Sequence, residues 1–437
     1  MTGGIRPTDV DRGFSMIQPI TLSAGARLIP ERRQGSPSFA ISIWFPFGSR
    51  NEAPAARGFV HFIEHMLFKG TDRHDAYSLW RAIERTGGYA NGFTDRDSVC
   101  IFSCVPSPEW KLAVDLTAEA AFSSIFSPAE FEREKQVILS EIMQIEDDIE
   151  ETAFDAFLQR YWPGNPAAMS IAGKAAEVEA IGREALYAFY RDTFNTDNAL
   201  IVTTGDMDSK SLTDVLNASI FRAASRGHSN AIIHAETPAA RSFRGYTKAP
   251  SSQVYYFEAA QLCPPYSMRE FFGLSVINGV LGESSTSRLF QKLREELGLA
   301  YTVQSSLSFS RTEALLVIQA SIGSAALGRC LSAVDEETER FYTRGISIDE
   351  LAEAKSRLAG SFTLSLEDPE SRMRRIAAWA MIAGEVPETE AERSLYLEVS
   401  MDEVTRLLER LASSPRGRYA YGRVAADAAR SFSLVEM

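Results

Sequence analysis

At 437 residues, with 45% hydrophobic and 24% charged side chains, the chain is long enough for two or more domains with substantial cores and has the balance of an ordinary globular protein. A formal charge of −13 with no Lys/Arg cluster argues against a nucleic-acid partner, whose phosphates it would repel; it is compatible with basic peptides as ligands. The opening residues lack the apolar core of a signal peptide and no run approaches the ~18 apolar residues of a membrane span, so the expectation is a cytoplasmic protein with no membrane partner.

In chain order, residues 39–47 alternate and are rich in aromatics, which predicts a strand closed by Gly48-Ser49. The run His61-Phe62-Ile63-Glu64-His65 follows. On a helix, His61 and His65 share a face and can grip one metal ion while Glu64 stands beside it. That is a zinc site in outline, needing one more protein ligand and an open position for water, whose proton Glu64 is placed to take. Asp75 or Ser78 can cap a helix over 77–86, stopped by Gly87-Gly88. Strands over 89–94 and 98–105 are joined by Asp95-Arg96-Asp97, and the first is a candidate substrate platform.

Cys100 and Cys104 stand an even number apart, as two thiols on one face of a strand; with Cys263 and Cys330 they lack Cys-x-x-Cys spacing and are too sparse for a disulfide framework. After a helix over 108–126, Ser127-Pro128-Ala129-Glu130 reads as a capping box. The helix it starts carries Glu134 and Glu141 on one face, so one can bind the ion while the other supports it. Helices over 151–161 and 183–194, a strand over 199–205 and a small, polar linker over 225–240 complete this half.

The second half repeats the plan. Ile83 to Asn91 aligns with Leu293 to Tyr301, and Ser127 to Lys135 with Ser347 to Lys355, in the same order and with one short insertion between them. The expected organisation is a metal-binding domain at 1–224, a linker at 225–240 and a homologous domain at 241–437. The duplicate lacks the metal: its helix at 269–281 has no histidine, and Ser361 stands where Glu141 would. His74, His228 and His234 have no partners at ligand spacing and read as bystanders.

The order His-x-x-Glu-His is the inverted zinc motif. With Gly48-Ser49-Arg50-Asn51-Glu52 before it, and Phe68-Lys69-Gly70-Thr71 and Gly87-Gly88-Tyr89-Ala90-Asn91 after it, nearly the whole chain resembles the metallopeptidase family of pitrilysin, insulin-degrading enzyme and the mitochondrial processing peptidase. The resemblance implies an α+β fold of two homologous domains, each a mostly antiparallel sheet backed by helices, facing each other across a chamber. It implies one Zn²⁺ per chain held by His61, His65 and Glu141, with Glu64 as general base and Glu134 as the supporting carboxylate.

It further implies a peptide substrate added as a strand beside Ala90-Asn91-Gly92-Phe93, with Asn91 and Gly92 at the contact. Relatives usually have Asn-Ala there, and a glycine is expected to loosen the edge. Arg294 and Tyr301 match a pair that touches the substrate backbone, where an arginine can hold a carbonyl and a tyrosine hydroxyl can donate to a developing oxyanion. Family members of this length pair as homodimers or with a related subunit. Some are non-catalytic partner subunits; these typically lose a motif residue, whereas all four stand here.

Overall fold

The computed structural model describes residues 15–219, 235–264 and 267–437. Two six-stranded, mostly antiparallel sheets form its frame, with helices packed on each. In the first, the strand Ser38–Phe45 lies at the centre, antiparallel to Val99–Pro106 on one side and to Leu200–Gly205 on the other. Tyr89–Thr94 pairs with Val99–Pro106 and forms one edge. Arg27–Arg32 runs parallel to Leu200–Gly205 and carries the short edge strand Ile20–Thr21.

The second sheet reproduces this order in its five long strands, while its sixth, Val435–Glu436, comes from the chain's end and runs parallel to its neighbour where Ile20–Thr21 is antiparallel. Ala300–Phe309 is the edge, followed by Ala314–Gly323, Gln253–Leu262, Arg416–Gly422 and Phe243–Lys248, and the first and last long strands are again parallel. The repeat seen in short sequence segments is therefore a repeat of a five-stranded topology. Ser127 and Ser347 both cap helices, Pro128–Asp147 and Ile348–Ser365. Of these two, Ser347 forms the full capping box. At Ser127 the hydroxyl accepts from the Glu130 N–H, but the Glu130 carboxylate is drawn outward to Arg133, so half of the expected box is present.

Alternation along the strands explains the layering. In Ser38–Phe45, Phe39, Ile41, Ile43 and Phe45 join the core formed with the helices of their own half, whereas Ala40 and Trp44 face the second half along with Cys100, Phe102, Cys104 and Val202. Cys100 and Cys104 do share a face and are buried. Both faces of the sheet are covered, so its central strands read as nearly continuous apolar runs.

What covers the inner faces is exchanged between halves. The helix Ile149–Tyr161, from the first half, places Phe157, Leu158 and Tyr161 against Phe257, Leu315, Val317 and Tyr419 of the second sheet. The helix Pro369–Ile382, from the second half, packs on Ser38–Phe45 and Leu200–Gly205 of the first. Its Arg372 and Arg375 reach Glu31 at 2.8 and 3.1 Å. Met16–Ile17 also crosses over, pairing with Val386–Pro387. Of the linker expected at 225–240, residues 225–234 lie outside the described residues, as do His228 and His234. No helix among the described residues is long and apolar enough to cross a membrane.

Candidate metal centre

The helix Phe59–Leu67 carries the motif and is apolar almost all round: Phe59, Val60, Phe62, Ile63, Met66 and Leu67 are buried. The spacing of three and four residues leaves His61, Glu64 and His65 on the one side that opens into a cleft of about 700 Å³. The second helix, Pro128–Asp147, buries Phe131, Glu134, Ile138 and Ile142. Phe131 stacks on Phe62 with ring centroids 4.9 Å apart, which sets the register of the two helices. That register brings Glu141 to the histidines.

Glu141 Oε1 lies 3.7 Å from His61 Nε2, and Glu141 Oε2 lies 3.3 Å from His65 Nε2. One ligand atom from each of the three residues falls within 4.8 Å of the others. Donors around a tetrahedral Zn²⁺, with bonds of ~2.0–2.2 Å, stand about 3.3–3.6 Å apart; the two Glu141 contacts are already close to that spacing, and a spread of up to 4.8 Å would close by roughly an ångström around such an ion. Glu134 Oε2 meets the other ring nitrogen of His65, Nδ1, at 3.2 Å, the carboxylate–histidine arrangement that fixes a ligand's tautomer and orientation. The support is one-sided: His61 Nδ1 is buried with no hydrogen-bond partner among the described residues.

The electrostatics point the same way. Burial works against a proton on His65, but its hydrogen bonds to Glu134 and Glu141 outweigh it and hold the imidazole up at about 9. Burial and the neighbouring His65 push His61 down to about 4. A cleft that draws a proton onto an imidazole between two carboxylates has a demand for positive charge that a cation would meet. Burial raises the Glu64 carboxyl to about 7, with His65 acting against it and Glu141 and Glu134 adding to it. Phe68, stacked on Trp80 at 4.9 Å, lines the same cleft.

Asn91 and Gly92 also line the cleft, on the edge strand Tyr89–Thr94. Gly92 N–H donates to the Asn91 side chain at 2.9 Å rather than to a neighbouring strand. Gly92 has a tighter role than its expected loosening of the edge: a β-carbon there would run into Glu64. Arg294 and Tyr301 are not brought to the cleft by their own chain. Arg294 stacks over Phe290 at 5.0 Å, and Tyr301 is 75% exposed at the start of the second sheet's edge strand. His74 is held by the buried Glu119 at 2.8 Å, as a bystander would be.

Two contributors carried no role in the sequence reading. Lys69 Nζ binds the second oxygen of Glu134 at 2.8 Å; its place one helical turn after His65 was the available signal. Glu52 accepts from the Gly58 and Val60 N–H groups at the start of the metal helix, and nothing in local spacing announces it.

The model of the insulinase family, peptidase family M16, matches residues 27–175, and that of the peptidase M16 inactive domain matches residues 180–358. An uncharacterized zinc protease of Mycobacterium leprae is 28% identical over 404 residues, 92% of this chain and 91% of the relative. One from Bacillus subtilis is 29% identical over 368 residues, 82% and 87% of the two chains. Among solved structures, the fold is shared with a peptidase M16 inactive domain from Pseudomonas fluorescens, with a TM-score of 0.84 at 20% identity, covering 94% of this chain and 98% of that one. It is shared too with a protease from Helicobacter pylori, with a TM-score of 0.78 at 17% identity, covering 92% and 98%. With two family models in tandem, full-length relatives called zinc proteases and the inverted motif set in one cleft, the chain belongs to the M16 peptidase family.

Proposed function

We propose that the protein is a zinc endopeptidase that cleaves unfolded chains or oligopeptides, with His61, His65 and Glu141 holding one Zn²⁺. The observation that carries this reading is the convergence of those three donors in a cleft that also contains the Glu64 carboxyl. A bound Zn²⁺ would supply Lewis acidity toward the scissile carbonyl and lower the pKa of water from about 15.7 to roughly 7.

The chain's own residues do the rest. Glu64, on the same helix face as the histidines, accepts a proton from water in the cleft and returns it to the departing amine. Glu134 keeps His65 oriented, and Lys69 keeps Glu134 ionised and in place. The open edge at Asn91 and Gly92 receives the substrate as an added strand, which satisfies backbone groups whatever the side chains. On arrival, the peptide takes over the Gly92 N–H that the Asn91 side chain occupies in its absence.

The working unit in this reading is a pair, formed with a second copy or a related subunit. The support is that Arg294 and Tyr301 lie away from the cleft of their own chain, while Tyr301 is presented outward on an edge strand. The test of the central reading is Glu64→Gln: it should retain about one zinc per chain and lose cleavage of a quenched peptide. Parental cleavage by Glu64→Gln would remove Glu64 as the base.

A further inference from the structure

A helix leaves its first N–H groups without intrahelical partners, and a side chain at the N-cap position usually takes one of them. The metal helix Phe59–Leu67 has no such side chain: its N-cap residue is Gly58, at φ +81°, a conformation that suits glycine. Its orphan donors are met from outside. Glu52, 5% exposed, accepts from Gly58 N–H at 3.0 Å through Oε2 and from Val60 N–H at 2.7 Å through Oε1.

Glu52 is itself held. It follows the turn Ser49–Asn51, whose Ser49 and Arg50 N–H groups each donate at 3.2 Å to carbonyls of the Asp95-Arg96 turn that ends the substrate edge strand. The Arg50 guanidinium reaches Glu313 of the second half at 2.7 and 3.1 Å, and Asp97 at 3.2 Å. One short segment thus touches the edge-strand hairpin, the second half and the first turn of the metal helix. His61 is the third residue of that helix, so fraying of the first turn reaches this ligand before it reaches Glu64 or His65.

We propose that Glu52 is a positioning residue for the metal centre: by tying the first turn of the metal helix to the edge-strand hairpin, it sets where His61 stands relative to His65 and Glu141. The inference rests on the zinc reading above. It assigns Glu52 no contact with substrate or metal.

The experiment measures zinc dissociation constants by competition with a chromophoric chelator, alongside the melting temperature of the zinc-free protein. Glu52→Ala should bind zinc at least tenfold more weakly with a smaller relative change in zinc-free melting, and Glu52→Gln, whose single amide oxygen can accept from only one of the two N–H groups, should fall between alanine and the parent. Should Glu52→Ala fail to fold, Glu52→Asp decides: it keeps the charge but is too short to reach both N–H groups, and it should bind zinc at least threefold more weakly. Parental affinity in Glu52→Ala, or in Glu52→Asp where the alanine variant does not fold, overturns the proposal, as does a Glu52→Gln that binds zinc as tightly as the parent. A parent that binds no zinc would instead overturn the zinc reading, so the two failures are distinguishable.

Discussion

Gly92 leaves the space that Glu64 occupies: a β-carbon at residue 92 would lie 2.6 Å from Glu64 Oε1 and 3.3 Å from its Cδ. The side chain proposed as the base is therefore positioned by an absence of atoms on the strand proposed to receive the substrate. In Gly92→Ala the carboxylate must swing away, and a displacement of about 1 Å at a reacting group can cost on the order of 100-fold. The expected result is a kcat lowered roughly 10- to 100-fold at unchanged zinc content. An unchanged kcat would mean that Glu64 relaxes without consequence.

Glu134 and Glu141 sit on one helix but hold different positions, one against the far side of His65 and one between the two histidines. Glu134→Gln should weaken zinc binding by about 10- to 100-fold, the usual cost of losing a carboxylate behind a ligating histidine. Glu141→Gln should weaken it further, while Glu146→Gln, on the exposed side of the same helix, should leave it at the parental value. Equal losses at residues 141 and 146 would exclude Glu141 as a ligand, as read by the same chelator competition.

If a second copy supplies Arg294 and Tyr301, two inactive variants can repair each other. Glu64→Gln and Tyr301→Phe, each weak alone, should regain peptidase activity when mixed and allowed to exchange subunits. Such a mixture contains pairs in which one cleft has both Glu64 and a partner's tyrosine. Light scattering should show the pair. A mixture no more active than the sum of its components would place Tyr301 outside the reaction or within its own chain's cleft.

The second half carries an acid-sensitive clamp. Hydrogen bonds from Arg288 at 2.6 and 2.8 Å hold the Glu350 carboxyl down at about 2, below the ~4.3 of an unfolded glutamate. A carboxyl depressed in the folded state contributes stability that is complete above the unfolded value and is lost as pH falls from about 4 toward about 2. Urea unfolding between pH 7 and pH 2 should therefore show a shallower acid decline in Glu350→Gln than in the parent. Parallel curves would show that the pair contributes no pH-dependent stability.

Local features of the fold were legible in the sequence because short-range chemistry dictates them. Asp75 accepts from the Ser78 N–H as the capping pattern predicts, the strand at residues 89–94 is found at those bounds, and those at 39–47 and 98–105 are found with their ends shifted by a residue or two. The motif's helical spacing alone placed His61, Glu64 and His65 on one face. Features that depend on distant segments were not legible. Arg50 and Glu313 meet across the two halves with no local pattern to announce it, and the same holds for Glu52 on the metal helix. At Gly92 the propensity says only that glycine weakens a strand, and the room its neighbour Glu64 takes was not legible.

The exchanged helices bear on how such a chain can exist at all. A polypeptide ending after Ala218 would keep Ile149–Tyr161 but lose Pro369–Ile382, leaving Ala40, Trp44 and Val202 bare to water and Phe157 without its aromatic bed. It could hide those surfaces only by clasping another copy of itself, each lending the other an arm. Duplication within one chain makes that clasp permanent, so a backbone nick between residues 219 and 235 should leave two fragments that still travel as one body.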